Sequence, residues 1–308
     1  MKVTIDELFG PRRLFPDPDA KERLAELVGL DEHQQVLAKF LGIAINPDAL
    51  IKWAETHHPL AIGSLSVFLR RPPLAVLAGD VGSGKTLLAE SIGDAVARTE
   101  NIPITLFPMS LSTRGQGRVG EMTHLISTAF NYVYSEAKKS KRDGGKPGAG
   151  TILLVDEADA LAQSREATQM HHEDRAGVNA FIRGVDRLSE PRLPAAVIMC
   201  TNRLTALDPA IRRRAGEVLS FRRPDDIERR TLLEPTLVAL GFGSAHIQAI
   251  VDATGRRDDC AYGCTYSDLT QRLLPGIVMR AYPNKAINPA DAINTAKALR
   301  PTPPFEDQ

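Results

Sequence analysis

The 308-residue sequence has only three cysteines, one tryptophan and 5% aromatic residues. The cysteines, Cys200, Cys260 and Cys264, are too few and odd in number for the disulfide framework of a small secreted domain. An excess of charge is also missing, because 38 basic residues face 38 acidic ones. A zero net charge argues against a generic binder of nucleic acids or anionic membranes, which usually carries an excess of lysine and arginine.

Long apolar runs are absent as well. No stretch approaches the roughly 18 apolar residues that cross a bilayer. The opening MKVTIDELFG carries acids early and lacks the apolar core of a signal peptide. We therefore expect a cytoplasmic protein that does not bind membranes. Hydrophobic residues still make up 43% of the chain, which is enough for a sizeable core.

Short apolar runs alternate with amphipathic segments in the middle of the chain. The runs cover residues 74–78, 104–107, 152–155, 196–199 and 218–221. Buried strands that alternate with amphipathic helices predict an α/β fold, with a parallel sheet sandwiched by helices. Beyond Pro224 the strands stop, and the spacing of apolar residues predicts a small α-helical domain with Asp225 as the cap of its first helix.

These patterns divide the sequence into four predicted segments. They are an N-terminal arm at 1–26, a large domain at 27–224, a helical domain at 225–300 and a tail at 301–308. Prolines interrupt the start of the arm, so we expect it to be irregular. Residues 19–53 have the spacing of two helices, joined by a turn at 28–31.

The segment 79–86 reads Gly-Asp-Val-Gly-Ser-Gly-Lys-Thr, the complete pattern GxxxxGK[ST] of a phosphate-binding loop, here called the P-loop. It follows a predicted strand and opens a predicted helix, so that backbone N–H groups and the helix N-terminus point at one place. We expect Lys85 to reach the β- and γ-phosphates and the Thr86 hydroxyl to ligate Mg²⁺. The predicted ATP-binding residues are Asp80, Val81, Gly82, Ser83, Gly84, Lys85, Thr86 and Leu87.

Two carboxylates end the apolar run at 152–155. Ligands bind at the carboxyl ends of strands in open α/β sheets, which is where Asp156 and Glu157 lie. We expect Asp156 to hold Mg²⁺, directly or through water, and Glu157 to act as the general base toward the attacking water. Asn202 ends another predicted strand and is expected to orient the same water, although an asparagine there could simply begin a turn.

Three consecutive arginines, Arg212, Arg213 and Arg214, follow this strand. As a group they suggest an arginine that acts on the γ-phosphate bound by a neighbouring subunit, a contribution worth about 10³–10⁵ in rate in other systems. For Arg212 and Arg213 individually, a solvated surface remains an equal alternative.

The P-loop, the acid pair, Asn202 and the arginines together resemble the AAA+ ATPases over about residues 27–300. The resemblance implies that Val28 and Gly29 belong to the adenine pocket, that Asn202 is the family's sensor one, and that Arg214 is its arginine finger. It implies a helical lid after residue 225. It also implies ATP and Mg²⁺ as cofactors, and a homohexameric ring.

Segments between these motifs resemble the pachytene-checkpoint branch of the AAA+ ATPases, which remodels HORMA-domain proteins. They are Ser110-Leu111, 119–125 with Phe130, 174–188, and the lid stretch 269–275, which reads Leu-Thr-Gln-Arg-Leu-Leu-Pro. The bacterial version of this branch accompanies a HORMA protein and a cyclic-oligonucleotide synthase in CBASS antiviral operons. The resemblance therefore implies remodelling of a HORMA-domain protein, bound or not to such a synthase.

The sequence departs from the family in two places. Arg118 and Val119 stand where the central-pore loop of these remodellers usually has an aromatic residue, so we expect them to contact the substrate instead. Leu269 stands where the family has its first sensor-two arginine, which leaves Arg272 as the available cation of the lid.

Two other functions remain open at this point. A nucleic-acid-associated AAA+ loader shares all the ATP motifs, but the zero net charge and the absence of a recognisable helix-turn-helix argue against it. A scaffold that binds ATP without turnover is disfavoured by the presence of Glu157.

Overall fold

The computed structural model describes residues 8–61, 63, 67, 69–111, 121–161, 172–205 and 207–304. The chain divides into two compact units. The sheet unit comprises Met1–Glu26, Glu32–Ala78 and Thr86–Ser220, and the helical unit comprises Leu27–Asp31, Gly79–Lys85 and Phe221–Gln308. No helix within the described ranges is long and apolar enough to cross a bilayer. The domain limits predicted from the sequence stay a prediction.

A six-stranded sheet forms the centre of the sheet unit. Its strands are β1 (Arg13–Phe15), β2 (Leu74–Gly79), β3 (Ile104–Ser110), β4 (Gly150–Asp156), β5 (Ala195–Thr201) and β6 (Glu217–Phe221). They lie in the order β1-β3-β4-β5-β2-β6. Strands β3, β4, β5 and β2 pair in parallel, whereas β1 pairs antiparallel with β3.

Some helices belong to the sheet unit, and the others form the helical unit. The helices before β6 are α1 (Pro18–Ala25), α2 (Asp31–Ile45), α3 (Pro47–His57), α4 (Lys85–Ser91), α5 (Gly93–Glu100), α6 (Glu121–Ser140), α7 (His172–Leu188) and α8 (Pro209–Arg212). Those after it are α9 (Asp226–Ala239), α10 (Ser244–Thr254), a π-helix at Asp268–Leu273, α11 (Leu274–Ala281) and α12 (Pro289–Ala298).

The α/β fold predicted from the sequence is confirmed, because all five apolar runs lie in strands β2 to β6. Strands β2, β4 and β5 are buried along almost their whole length, as expected where helices cover both faces of a sheet. Residues from β2, β4, β5, α6 and α7 build one continuous core. The carboxyl ends of the parallel strands therefore have a rigid support.

The prediction of an irregular start to the N-terminal arm is wrong for residues 13–18, whereas the helical spacing predicted from residue 19 onward is confirmed by α1. Arg13–Phe15 forms the antiparallel edge strand β1, and α1 follows it. Pro18, which suggested irregularity, is the first residue of α1, where a missing N–H is harmless, and the Asp17 carboxylate caps that helix. The burial of Phe15, which is only 3% exposed, stabilises strand β1.

Two predicted helices are interrupted. The helix predicted to begin at the P-loop breaks before Gly93, where a Cβ would lie 2.4 Å from the Phe15 ring, so only glycine leaves room for this ring. Residues 19–53 form three helical segments rather than two, because α3 begins at Pro47. Trp53 of α3 is 47% exposed.

The helical unit has its own core. Asp225 caps α9 as predicted, and its carboxylate and the Glu228 side chain form a reciprocal capping box. The buried apolar side chains come from each helix of the unit, and include Leu233, Leu237, Ile247, Ile250, Leu269, Leu273, Ile277 and Ala296.

Candidate functional site

The P-loop has the context that the sequence predicts, since it follows β2 and Lys85 opens α4. Lys85 is only 6% exposed, and its ammonium donates to the carbonyl oxygens of Gly79 and Asp80, each at 2.7 Å. Ser83, 1% exposed, donates its hydroxyl to the Asp80 carbonyl at 2.7 Å. The loop is therefore folded on itself around the lysine ammonium, with Val81 exposed at its tip.

Glycines are required in this loop. Gly82 and Gly84 have φ angles of 72° and 94°, which side chains rarely adopt. A Cβ on Gly82 would lie 2.8 Å from atoms of both Thr265 and Ser267 in the helical unit. The Ser267 N–H also donates to the Gly82 carbonyl at 3.1 Å, so the turn at 265–267 is fitted closely to the P-loop.

Asp80, the second P-loop residue, is anchored by a residue that the sequence reasoning missed. Its carboxylate accepts from Arg223 Nε at 2.7 Å, and another Arg223 nitrogen donates to the Gly263 carbonyl at 2.7 Å. The same guanidinium lies over the Tyr262 ring. The start of the P-loop is thereby tied to the turn that precedes the π-helix.

The predicted adenine-pocket residues, Val28 and Gly29, lie near the P-loop within the helical unit. A Cβ on Gly84 would contact the side chains of Leu27 and Leu30, so the segment 27–30 flanks the loop. Gly29 has a φ of 73° and approaches Glu228 closely. The Glu228 carboxylate in turn accepts two bonds of 2.8 Å from Arg222.

The predicted metal ligands meet in the sheet unit. Thr86 Oγ1 lies 3.4 Å from Asp156 Oδ1 at the end of β4. Burial raises the pKa of the Asp156 carboxyl, while hydrogen bonds from the Glu157 N–H and the Thr86 hydroxyl act in the opposite direction. A hydroxyl beside a partly buried carboxylate suits a hard cation such as Mg²⁺, because both are oxygen donors. The donor set fits the predicted metal.

Glu157 has an unusual backbone. Its φ of 53° lies in the left-handed region, which non-glycine residues seldom adopt and which is enriched at active sites. Its N–H donates to Asp156 Oδ1 at 2.8 Å, and its carboxylate accepts from the Ser110 hydroxyl at 2.6 Å. In the sequence, Ser110 is part of the resemblance to the family, and no role is predicted for it. The parallel register pairs Ser110 with Asp156, so neighbouring strand ends bring it there.

Asn202 is held by Asp159, a second residue that the sequence reasoning missed. The Asp159 carboxylate accepts from Asn202 Nδ2 at 2.9 Å, from the Asn202 N–H at 2.9 Å and from the Thr201 hydroxyl at 2.7 Å. Because the amide nitrogen is bonded to Asp159, the orientation of the Asn202 side chain is fixed. The sequence feature that could have identified Asp159 is its acidic side chain, three residues beyond Asp156.

We predict that Asp159→Ala lowers ATP turnover about 10- to 100-fold, because the Asn202 amide loses the acceptor that aims it. The affinity for ADP should change by less than about threefold, since binding and positioning are separate roles. Steady-state turnover and direct ADP titration measure the two effects. Thr201→Val, which removes one donor to Asp159 and leaves Asn202 bonded, is the matched control. Equal losses in both variants would contradict a role through Asn202.

Arg214, the predicted arginine finger, is ion-paired within its own chain. Its Nε and Nη2 atoms donate to the two carboxylate oxygens of Asp186 at 2.7 and 3.0 Å. The Arg214 side chain is 34% exposed, and Arg212 and Arg213 are more exposed than Arg214. A phosphate can accept from a guanidinium the same two parallel hydrogen bonds that Asp186 accepts here.

The structure describes the predicted lid cation, Arg272, but not the two predicted pore residues. Leu269 is fully buried in the core of the helical unit, and Arg272 donates to Asp268 at 2.6 Å while 47% of its side chain stays exposed. Arg118 and Val119 lie outside the described residues, so their predicted contact with substrate stays a prediction.

A P-loop after the second strand of an α/β sheet, followed by a helical unit, defines a P-loop ATPase. The AAA family model, the ATPase family associated with various cellular activities, matches residues 75–223. Over 308 residues, 100% of this chain and 99% of the relative, the chain is 57% identical to CD-NTase-associated protein 6 of Escherichia coli strain MS 115-1. The chain belongs to the AAA ATPase family.

Two solved structures are similar along the whole chain. A chain of the E. coli MS115-1 HORMA:CdnC:Trip13 complex superposes with a TM-score of 0.92 and 56% identity, over 99% of this chain and 100% of that one. Rhizobiales Trip13 gives a TM-score of 0.74 and 51% identity, over 96% and 100%. The resemblance to the HORMA-remodelling branch is thereby confirmed.

Proposed function

We propose that this protein hydrolyses ATP with Mg²⁺ and uses the energy to disassemble a complex of a HORMA-domain protein, in a bacterial CBASS antiviral system. The observation that carries the proposal is the full-length similarity to a chain of a HORMA:CdnC:Trip13 complex, in a chain that keeps the P-loop and Glu157. The partner would be a HORMA protein bound to a cyclic-oligonucleotide synthase, and disassembly would restrain the antiviral signal.

In this proposal the helical unit binds the nucleotide. The P-loop N–H groups and Lys85 bind the phosphates, and Val28 and Gly29 contact the adenine. Arg272 is the lid cation, although its carboxylate partner Asp268 competes with phosphate for it. The close fit of Ser267 to Gly82 supports a lid that contacts the phosphate-binding loop.

The sheet unit contributes the hydrolytic groups. Thr86 and Asp156 would hold Mg²⁺, which supplies charge neutralisation at the phosphates when bound. The Glu157 carboxylate takes the proton of the attacking water, and the Asn202 amide, fixed by Asp159, orients that water. The hydrogen bond from the Ser110 hydroxyl positions the Glu157 carboxylate.

Arg214 would act on the nucleotide of a neighbouring subunit, which requires a ring that we propose to be a homohexamer. The arginine would exchange Asp186 for the neighbour's γ-phosphate, since both present paired oxygens to its fork. The substrate segment would pass the pore residues Arg118 and Val119. We also propose a cytoplasmic location, beside the synthase.

The test uses the purified chain with a HORMA protein bound to its cyclic-oligonucleotide synthase. We expect ATP with Mg²⁺ to release the synthase from the HORMA protein, because hydrolysis drives the disassembly. A non-hydrolysable ATP analogue should bind without release. Size-exclusion chromatography and synthase activity report the outcome. A HORMA complex that survives hydrolysis of ATP would contradict the proposed substrate, and salt-dependent DNA binding instead would favour a loader.

A further inference from the structure

A buried carboxylate organises the start of the π-helix in the helical unit. The Asp268 side chain is 1% exposed. It accepts from the N–H groups of Thr265 and Thr302 at 3.0 and 2.9 Å, from the Thr302 hydroxyl at 2.7 Å and from Arg272 at 2.6 Å. Burial opposes ionisation, yet these hydrogen bonds outweigh it and lower the pKa of Asp268 below its usual value.

Thr302 comes from the segment after the last helix, 34 residues further along the chain. That segment is fixed at a second point, because the Arg257 guanidinium donates to the carbonyl oxygens of Lys297 and Leu299 at 2.7 and 3.3 Å. Pro301, next to Thr302, is buried. The backbone N–H and the hydroxyl of Thr302 together clamp both oxygens of Asp268.

Asp268 is linked to the P-loop through one turn. Its own N–H donates to the Thr265 hydroxyl at 3.1 Å, while its carboxylate accepts from the Thr265 N–H. The same turn contacts Gly82 through the Ser267 N–H and through the close approach of Thr265 and Ser267. Since Gly82 has a left-handed backbone with little free space around it, movement of the turn would change the loop.

We propose that Thr302 is a positioning residue for nucleotide binding, which acts through Asp268 and the turn at 265–267 on the P-loop. The segment after α12 is then a working part of the nucleotide site rather than a tail. The inference rests on the proposed binding of phosphates by the P-loop. A role limited to stability would weaken folding without selectively weakening the nucleotide complex.

The first test is Thr302→Val, which keeps the volume and the backbone N–H but removes the hydroxyl donor to Asp268. We expect about five- to tenfold weaker ADP binding, with turnover at saturating ATP within about twofold, because a hydrogen bond to a charged group is lost away from the reacting atoms. Thr302→Ser retains the hydroxyl and should restore ADP affinity to within about twofold of the original.

Thr295→Val is the matched control. Thr295 lies in α12 and donates its hydroxyl to the Asp291 carbonyl of the same helix at 2.8 Å, with no hydrogen bond to Asp268. Isothermal titration with ADP and thermal unfolding without nucleotide should be measured on all three variants. We expect Thr295→Val to bind ADP as the original chain does, even if its midpoint of unfolding falls as much as that of Thr302→Val.

A double-mutant cycle tests the route through Asp268. In an Asp268→Asn background, Thr302→Val should add less than about twofold to the loss of ADP affinity, because the shared acceptor is already altered. Independent, multiplying losses would overturn the route. Unchanged ADP affinity in Thr302→Val would overturn the proposal itself, as would equal losses in Thr302→Val and Thr295→Val. If the original chain failed to bind ADP, the proposed function would fail instead.

Discussion

Replacing Lys85 with alanine should weaken ATP and ADP binding by about 100-fold or more, equivalent to roughly 2.8 kcal/mol. The ammonium is the only side-chain cation within the P-loop sequence. It is 6% exposed and bonded to the Gly79 and Asp80 carbonyls, so its removal deprives the phosphates of a cation and removes both of these hydrogen bonds, after which the Asp80 carbonyl keeps the one from Ser83. Both changes affect the P-loop.

Isothermal titration with ADP measures this loss. Lys139→Ala is the matched control, because Lys139 is 68% exposed and, among the described residues, forms an ion pair with Glu136 of the same helix α6. Its removal should leave ADP affinity unchanged within about twofold, as expected for a surface ion pair. If Lys85→Ala kept its ADP affinity within about threefold, the assignment of residues 79–86 as the phosphate-binding loop would be wrong.

Glu157→Gln should lower ATP turnover by about 10²–10⁴-fold, the range for loss of a general base, while ATP still binds. Glutamine has the same shape and can accept the Ser110 hydrogen bond, so the left-handed backbone at 157 should persist. The amide cannot take a proton from water. The variant should therefore hold ATP, and with it the proposed HORMA partner, in a stable complex.

Phosphate release and retention of labelled ATP separate these effects. Mixing Glu157→Gln with Arg214→Ala tests the proposed ring, since some interfaces would then combine an intact Glu157 with an intact Arg214. Partial recovery of turnover across mixing ratios is expected. Glu157→Gln protein that turns over ATP at nearly the original rate would remove Glu157 from the chemistry, and absence of any recovery would favour an action of Arg214 within its own chain.

The sequence predicts the parts of this fold that depend on local pattern. Strands β2 to β6 are apolar runs with turn residues at their ends, and the P-loop is an unbroken motif. Strand β1 escapes this reasoning because three residues, Arg13–Phe15, are too few to show a period, and its pairing with β3 depends on contacts distant in sequence.

Positioning residues escape for a related reason. Ser110 and Asp159 bond to Glu157 and Asn202 only because strand register and the turn after β4 bring them together. Nothing in the spacing of Ser110 identifies its partner. The carboxyl ends of adjacent parallel strands meet at one edge of the sheet, however, so polar residues at the last position of each strand are expected to lie close together.

The short strand β1 also protects the sheet. Its backbone occupies the free side of β3, with Phe15 buried against Gly93. A chain begun at residue 19 would leave the β3 edge with unpaired N–H and carbonyl groups, a ready template for strand pairing between molecules. We therefore expect the resistance of this chain to aggregation to depend on three residues that have no role in the candidate site, so that an N-terminal deletion would first appear as insolubility rather than inactivity.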